Sequence, residues 1–262
     1  MHVSWQGQAA EVRELGSGPA VVLLHGYPLD GAMWSGVARA LSARFRVLKP
    51  DLPGHGENPA EAPASLEGHA DFVEAILAEL PPPVGVVGFS MGGYVALALM
   101  KRRPEKVRAL ALVDTRAGAD DEADRAKRDE AVATVNSVGV GPIAQAMLPK
   151  LLSPEGLKRA DLMERVSRIM QRQKPETVAA DLCAMRDRPD ATPLLASIAI
   201  PTLAVVGELD ALTPLAESEA IAAAVPGARI VTIPGAGHLS PMERPRAVAA
   251  ALAEFFGPAL SG

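Results

Sequence analysis

Ser90 lies in Gly88-Phe89-Ser90-Met91-Gly92, where the apolar run 84–87 gives way to a helical pattern beginning near Gly92. A serine on a sharp strand-to-helix turn holds its hydroxyl clear of the backbone. Glycines two positions to either side remove the collisions that such a turn would otherwise cause. The chemistry of this arrangement is attack on a carbonyl carbon, with the free amides and dipole of the helix start available to the oxyanion that forms. The bland alternative is a packed turn.

A hydroxyl is a weak nucleophile at neutral pH and requires an adjacent base. Of the five histidines, His2 stands at the chain start and His69 inside an amphipathic helical pattern, so both read as surface residues. His25 in HGYP and His55 in PGHGEN sit in glycine-bearing loops, where hydrogen bonds that hold loop shape are the expected work. His238 follows an apolar run through the turn PGAGH, which carries it to the carboxyl edge of a parallel sheet, where ligands bind. It is the candidate base. A carboxylate must fix its tautomer and stabilise the imidazolium. Asp210 in GELDALTP, after the run 202–206, meets that need; Asp114, which ends the run 109–113, competes for it, and Glu208 reads as solvent-facing or structural. Two amides must receive the oxyanion. Met91, the residue after the nucleophile, supplies one, and Tyr27 in HGYP supplies the other, since Pro28 has no N–H to donate.

These residues need a scaffold that delivers all of them to one edge. The runs AVVLLHG, FRVLKPD, VGVVGFS, ALALVDT, TLAVVGE and RIVTIPG read as buried strands of a parallel sheet. Helical patterns at 66–80, 92–102, 214–225 and 244–256 alternate with them, which predicts a doubly wound α/β fold with right-handed crossovers. HVSWQ and AEVREL around Gly7 predict an antiparallel hairpin added to one edge. The alternation breaks over 117–190, a charged segment without a buried strand. There Leu162, Val166 and Ile169 share one helix face while Glu164, Arg165 and Arg168 face water. Pro142, Pro149, Pro154 and Pro175 divide the segment into several short helices. Residues 1–116 and 191–262 thus read as a core and 117–190 as an inserted lid, the alternative being a decorative or dimer-forming flap.

Composition narrows the partners. At 262 residues and 48% apolar, the chain has enough material for one α/β core. Its net charge of −5 is interspersed, and no basic cluster alternates with aromatics, which argues against nucleic acid and for a small-molecule ligand. Runs such as VALALM fall far short of the roughly 20 apolar residues that span a bilayer. The start MHVSWQGQAAEVREL lacks the basic-then-apolar pattern of a signal peptide. The single Cys183 allows no internal disulfide and fits a reducing compartment. A cytoplasmic protein without a membrane partner is the expectation.

Taken together, HGYP at His25, DLPGHGEN at Asp51, GFSMGG at Gly88, GELDALTP at Gly207 and AGHLSPMERP at Ala236 resemble the α/β-hydrolase superfamily over essentially the whole chain. The resemblance implies a mostly parallel eight-stranded sheet with helices on both faces and a helical cap inserted after the sixth strand, at 117–190. Within the superfamily the chain is similar to small serine carboxylesterases and to the 3-oxoadipate enol-lactonase-like group, and GFSMGG is similar to serine-type non-haem haloperoxidases. That implies attack by Ser90 on an ester or lactone carbonyl, proton relay by His238 and hydrolysis of an acyl-enzyme by water, with no cofactor and no metal. Serine at the turn argues against the dehalogenases and epoxide hydrolases that use aspartate there. A carbon-carbon bond hydrolase, a perhydrolase and a non-catalytic receptor on the same fold are the alternatives. Met147, Met163, Met170 and Met185 read either as core or as the lining of an adaptable pocket. Arg116 reads either as a solvated charge or as a carboxylate ligand.

Overall fold

The computed structural model describes residues 1–261. Its main sheet grows from runs buried on both faces. In β4 (Ala20–Leu24) and β6 (Val84–Phe89) every residue is buried, because alternate side chains enter two different cores. Val21, Leu23 and Val87 pack with α1 (Ser35–Leu41) and α11 (Pro245–Leu260). Val22, Leu24 and Val86 pack with α2 (Leu66–Ala78) and α3 (Met91–Arg102). This double burial is why the strands read as unbroken apolar runs rather than alternating ones.

Seven strands form that sheet. β3 (Arg13–Leu15), β5 (Arg46–Lys49), β7 (Ala109–Val113), β8 (Thr202–Gly207) and β9 (Arg229–Ile233) join β4 and β6 in the order β3-β5-β4-β6-β7-β8-β9. Only β3 runs antiparallel. The expected eight-stranded sheet is therefore corrected to seven strands plus a separate two-stranded hairpin of β1 (His2–Trp5) and β2 (Gln8–Glu11). The break lies at Val12. Its amide donates to the Met1 carbonyl at 2.8 Å and its side chain is buried, so AEVREL splits into two strands and only Arg13–Leu15 reaches the main sheet. β9, expected to be buried, is an edge strand, and only Ile233 in it is fully covered.

Between β7 and β8 the chain forms α4 (Glu122–Val138), α5 (Gly141–Leu151), α6 (Ala160–Gln171) and α7 (Pro175–Arg186). Pro142 and Pro175 occupy first turns, where a missing N–H is harmless, and Pro154 falls in the gap between α5 and α6. Pro149 does not divide the segment; it lies inside the last turn of α5. Leu162, Val166 and Ile169 are buried while Glu164, Arg165 and Arg168 are exposed, as their spacing predicts. α8 (Thr192–Leu195) lies on the approach to β8, α9 (Leu215–Ala224) follows it, and α10 (Ser240–Glu243) comes after β9. Among the described residues no helix is long and apolar enough to cross a membrane.

Candidate active site

The chain leaves β6 through Ser90 and enters α3 at Met91. Ser90 adopts φ 50°, ψ −117°, a conformation that costs a non-glycine residue energy and that persists only where neighbours enforce it. The enforcement is visible at the flanking glycines. A Cβ on Gly92 would stand 2.5 Å from the Leu24 carbonyl oxygen, and one on Gly88 would stand 2.7 Å from Gly93 Cα. Phe89 is buried beneath the turn, its ring centroid 5.1 Å from that of His238.

His238 is carried in by the loop after β9. Its Nε2 lies 3.0 Å from Ser90 Oγ and its Nδ1 lies 2.9 Å from Asp210 Oδ2. An ionised Asp210 only accepts, so Nδ1 carries the proton and Nε2 is left to accept from the Ser90 hydroxyl. Asp210 also accepts from the Leu212 and Thr213 amides at 2.8 and 3.0 Å and from Thr213 Oγ1 at 2.7 Å. Burial pushes its carboxyl up, but His238 and then Thr213 hold it below the ordinary carboxylate value. Asp210 thus remains an anion beside the imidazole.

Asp114 has different work. It is fully buried at φ 45° and accepts from the Gly207 amide at 2.6 Å and from the Ser240 hydroxyl. Burial first, and the Asp210 charge second, push its carboxyl well above the usual range. It braces the two loops that carry Asp210 and His238. Glu208 is exposed and accepts from the Gly235 amide at 2.8 Å.

Tyr27 follows β4 and Met91 follows Ser90 at the end of β6, and among the described residues neither amide has an acceptor within the protein. Tyr27, Ser90 and His238 line one cavity of about 460 Å³. Its roof comes from α4 (Lys127, Arg128, Ala131), α5 (Ile143, Met147, Lys150) and α7 (Leu182, Met185). Met147 and Met185 line the cavity, whereas Met163 and Met170 do not, and Met170 is wholly buried in a core. Arg116 faces the cavity but is held by Asp120 at 2.8 Å and Asp124 at 3.2 Å.

The loop histidines are structural. His25 Nδ1 donates to the Gly26 carbonyl at 3.0 Å, and Nε2 accepts from the Leu52 amide at 2.9 Å. Burial, and then the His55 charge, take its pKa down to about 3, so it is neutral. His55 and His69 both bind Asp181 of α7, at 2.7 and 3.0 Å. The expected surface placement of His69 is thereby corrected. It lies on the buried stripe of α2 with Phe72 and Ile76, and its partner is 112 positions away in the chain. No local pattern could reveal that pair. Glu243 was equally hidden: its buried carboxylate accepts from the Gly237 amide at 2.7 Å and from the Ser153 amide and hydroxyl, fixing the turn that carries His238 to the end of α5.

A sequence profile of the alpha/beta hydrolase family matches residues 21–251, a span holding every residue of the constellation. The chain belongs to this family. Relatives within it include a pimeloyl-[acyl-carrier protein] methyl ester esterase of Chromobacterium violaceum, 32% identical over 93% of this chain and 96% of that one. Among solved structures, a thermophilic esterase from Thermogutta terrifontis is 34% identical with a TM-score of 0.94, covering 100% of this hydrolase and 99% of that chain. The enol-lactonase from Burkholderia xenovorans is 25% identical with a TM-score of 0.89, covering 98% and 100%.

Proposed function

We propose that this hydrolase cleaves carboxylic esters of small substrates through an acyl-enzyme on Ser90, with His238 as base and Asp210 as its acid. The observation that carries the reading is the continuous chain of hydrogen bonds from Ser90 Oγ through His238 to Asp210, at 3.0 and 2.9 Å. As Oγ bonds to the ester carbonyl carbon, its proton passes to Nε2, and the imidazolium that forms is stabilised by Asp210. The carbonyl oxygen takes up the negative charge and is received by the Tyr27 and Met91 amides. Nε2 then returns the proton to the departing alkoxide, leaving the acyl group on Ser90. Water, deprotonated by the same nitrogen, releases the acid and restores the serine. Esterase relatives support this activity.

Residues 117–190 act as the cap of this site, with 1–116 and 191–262 as the core, since the cavity roof is drawn from α4, α5 and α7. A second reading, hydrolysis of an anionic lactone, is favoured by the lining: it carries Arg116, Lys127, Arg128 and Lys150 and one carboxylate, Asp124, while Asp120 pairs with Arg116 and Arg128. Turnover of p-nitrophenyl acetate tests the first reading. Ser90→Ala should abolish it, and equal turnover by wild type and variant would disprove the mechanism. A parallel assay with an enol-lactone carrying a carboxylate separates the two substrates.

A further inference from the structure

A second cavity of about 370 Å³ lies beside the first, and Tyr94 lines both. Its walls are largely apolar, formed by Leu66, Leu97, Ala98, Ala117 and Leu194 with Glu67, Lys101 and Asp190 among its polar residues. The positions on α3 show how the two are arranged. Tyr94, Leu97, Ala98 and Lys101 lie at helical spacings of three or four from one another or side by side, so they share one face of α3. The nucleophile precedes the first residue of the helix, and the second cavity lies further along the helix, from Tyr94 to Lys101. Tyr94, whose ring centroid is 4.2 Å from the Arg188 guanidinium carbon, is the residue common to both linings.

We infer that the second cavity receives the distal part of an extended aliphatic acyl chain whose carbonyl is held at Ser90, so that medium-chain acyl esters are the preferred substrates. This rests on the esterase reading above. From Ser90 to Ala98 the helix axis advances eight residues, or about 12 Å. An alkyl zigzag with C–C bonds of about 1.5 Å covers that distance in roughly ten carbons. A chain of two to four carbons ends inside the first cavity. A longer one must pass Tyr94, and each methylene buried beyond it strengthens binding roughly fourfold. Glu67, Lys101, Arg188 and Asp190 leave the walls ionic in part, with Arg188 stacked on the Tyr94 ring, yet no charged side chain stands on the shared α3 face between Tyr94 and Lys101. A saturated chain therefore fits the wall that it must follow.

The test is a series of p-nitrophenyl esters from acetate to dodecanoate, assayed by kcat/KM with wild type, Ala98→Trp and Tyr94→Ala. Wild type should rise along the series to about the decanoate. Ala98→Trp, which fills the second cavity, should lower the decanoate-to-acetate ratio tenfold or more, and Tyr94→Ala should raise it. A wild-type profile that falls steadily beyond butyrate overturns the inference, even if a variant does not fold. So does an unchanged ratio in folded Ala98→Trp. Either result leaves the esterase reading intact, whereas wild-type inactivity on every ester removes that reading instead.

Discussion

Replacing Asp210 by asparagine separates the two candidate acids through a defined atomic event. Oδ1 accepts from two backbone amides, Leu212 and Thr213, while Oδ2 faces His238 Nδ1 and the Thr213 hydroxyl. In Asp210→Asn the amide oxygen must take the Oδ1 place, because backbone N–H groups cannot face a second donor. The NH₂ group then points at His238 and forces Nδ1 to accept. The ring proton moves to Nε2, where it blocks acceptance of the Ser90 proton. A wrong tautomer of this kind costs about 10⁴-fold in kcat, or roughly 5.4 kcal/mol of barrier. Asp114→Asn meets no such conflict. Its oxygen keeps the Gly207 amide, and the Ser240 hydroxyl can rotate to accept from the new NH₂. Its loss should stay below about tenfold. Both variants are measured on p-nitrophenyl acetate, with folding checked by circular dichroism. A larger loss in Asp114→Asn, or Asp210→Asn within tenfold of wild type, would refute the assignment.

Two further outcomes follow from packing and charge. Gly92→Ala drives a methyl group into the Leu24 and His25 carbonyls, so it should destabilise the fold by about 1–3 kcal/mol and lower the thermal midpoint by several degrees. An unaltered midpoint with full activity would contradict the tight turn. Asp181→Ala leaves His55 and His69 buried without their shared carboxylate and should cost about 3–5 kcal/mol. Burial opposes both charges, yet attraction within the cluster wins: the Asp181 carboxyl is held below its ordinary value of 3.8, and His55 is raised above 6.5. The Asp181 contribution is present above pH 3.8 and fades as pH falls through its folded value. The His55 contribution is present below pH 6.5 and fades as pH rises through its folded value. The gap in thermal midpoint between wild type and variant should therefore be widest near pH 5–6 and shrink by pH 9. A gap that widens with alkalinity would invert the charge assignment.

The legible part of the site is the part encoded by short-range spacing. A nucleophile turn needs small residues at fixed offsets from the serine, and strand ends need Gly, Pro or Asp, so Ser90, Asp210, His238, Tyr27 and Met91 could be named before any fold was seen. Thr213 lies inside the same GELDALTP stretch and was within reach of that reasoning. Asp181 was not. Its two histidines come from a loop and a helix more than 100 positions earlier, and a histidine on an apolar helix stripe looks like a surface residue until its partner is known.

The sequence alone determined the order of strands and helices, the family and the candidate catalytic groups, because each depends on local steric and hydrogen-bonding demands. Tertiary structure alone shows which of Asp210 and Asp114 faces the imidazole. Both end strands at the same edge, and only the paths of the loops place one carboxylate 2.9 Å from the imidazole and the other against Ser240. It also decided that AEVREL would break at Val12 and that Tyr94 would divide two cavities. Those outcomes depend on which distant backbone or side chain arrives alongside, and short-range spacing carries no record of that.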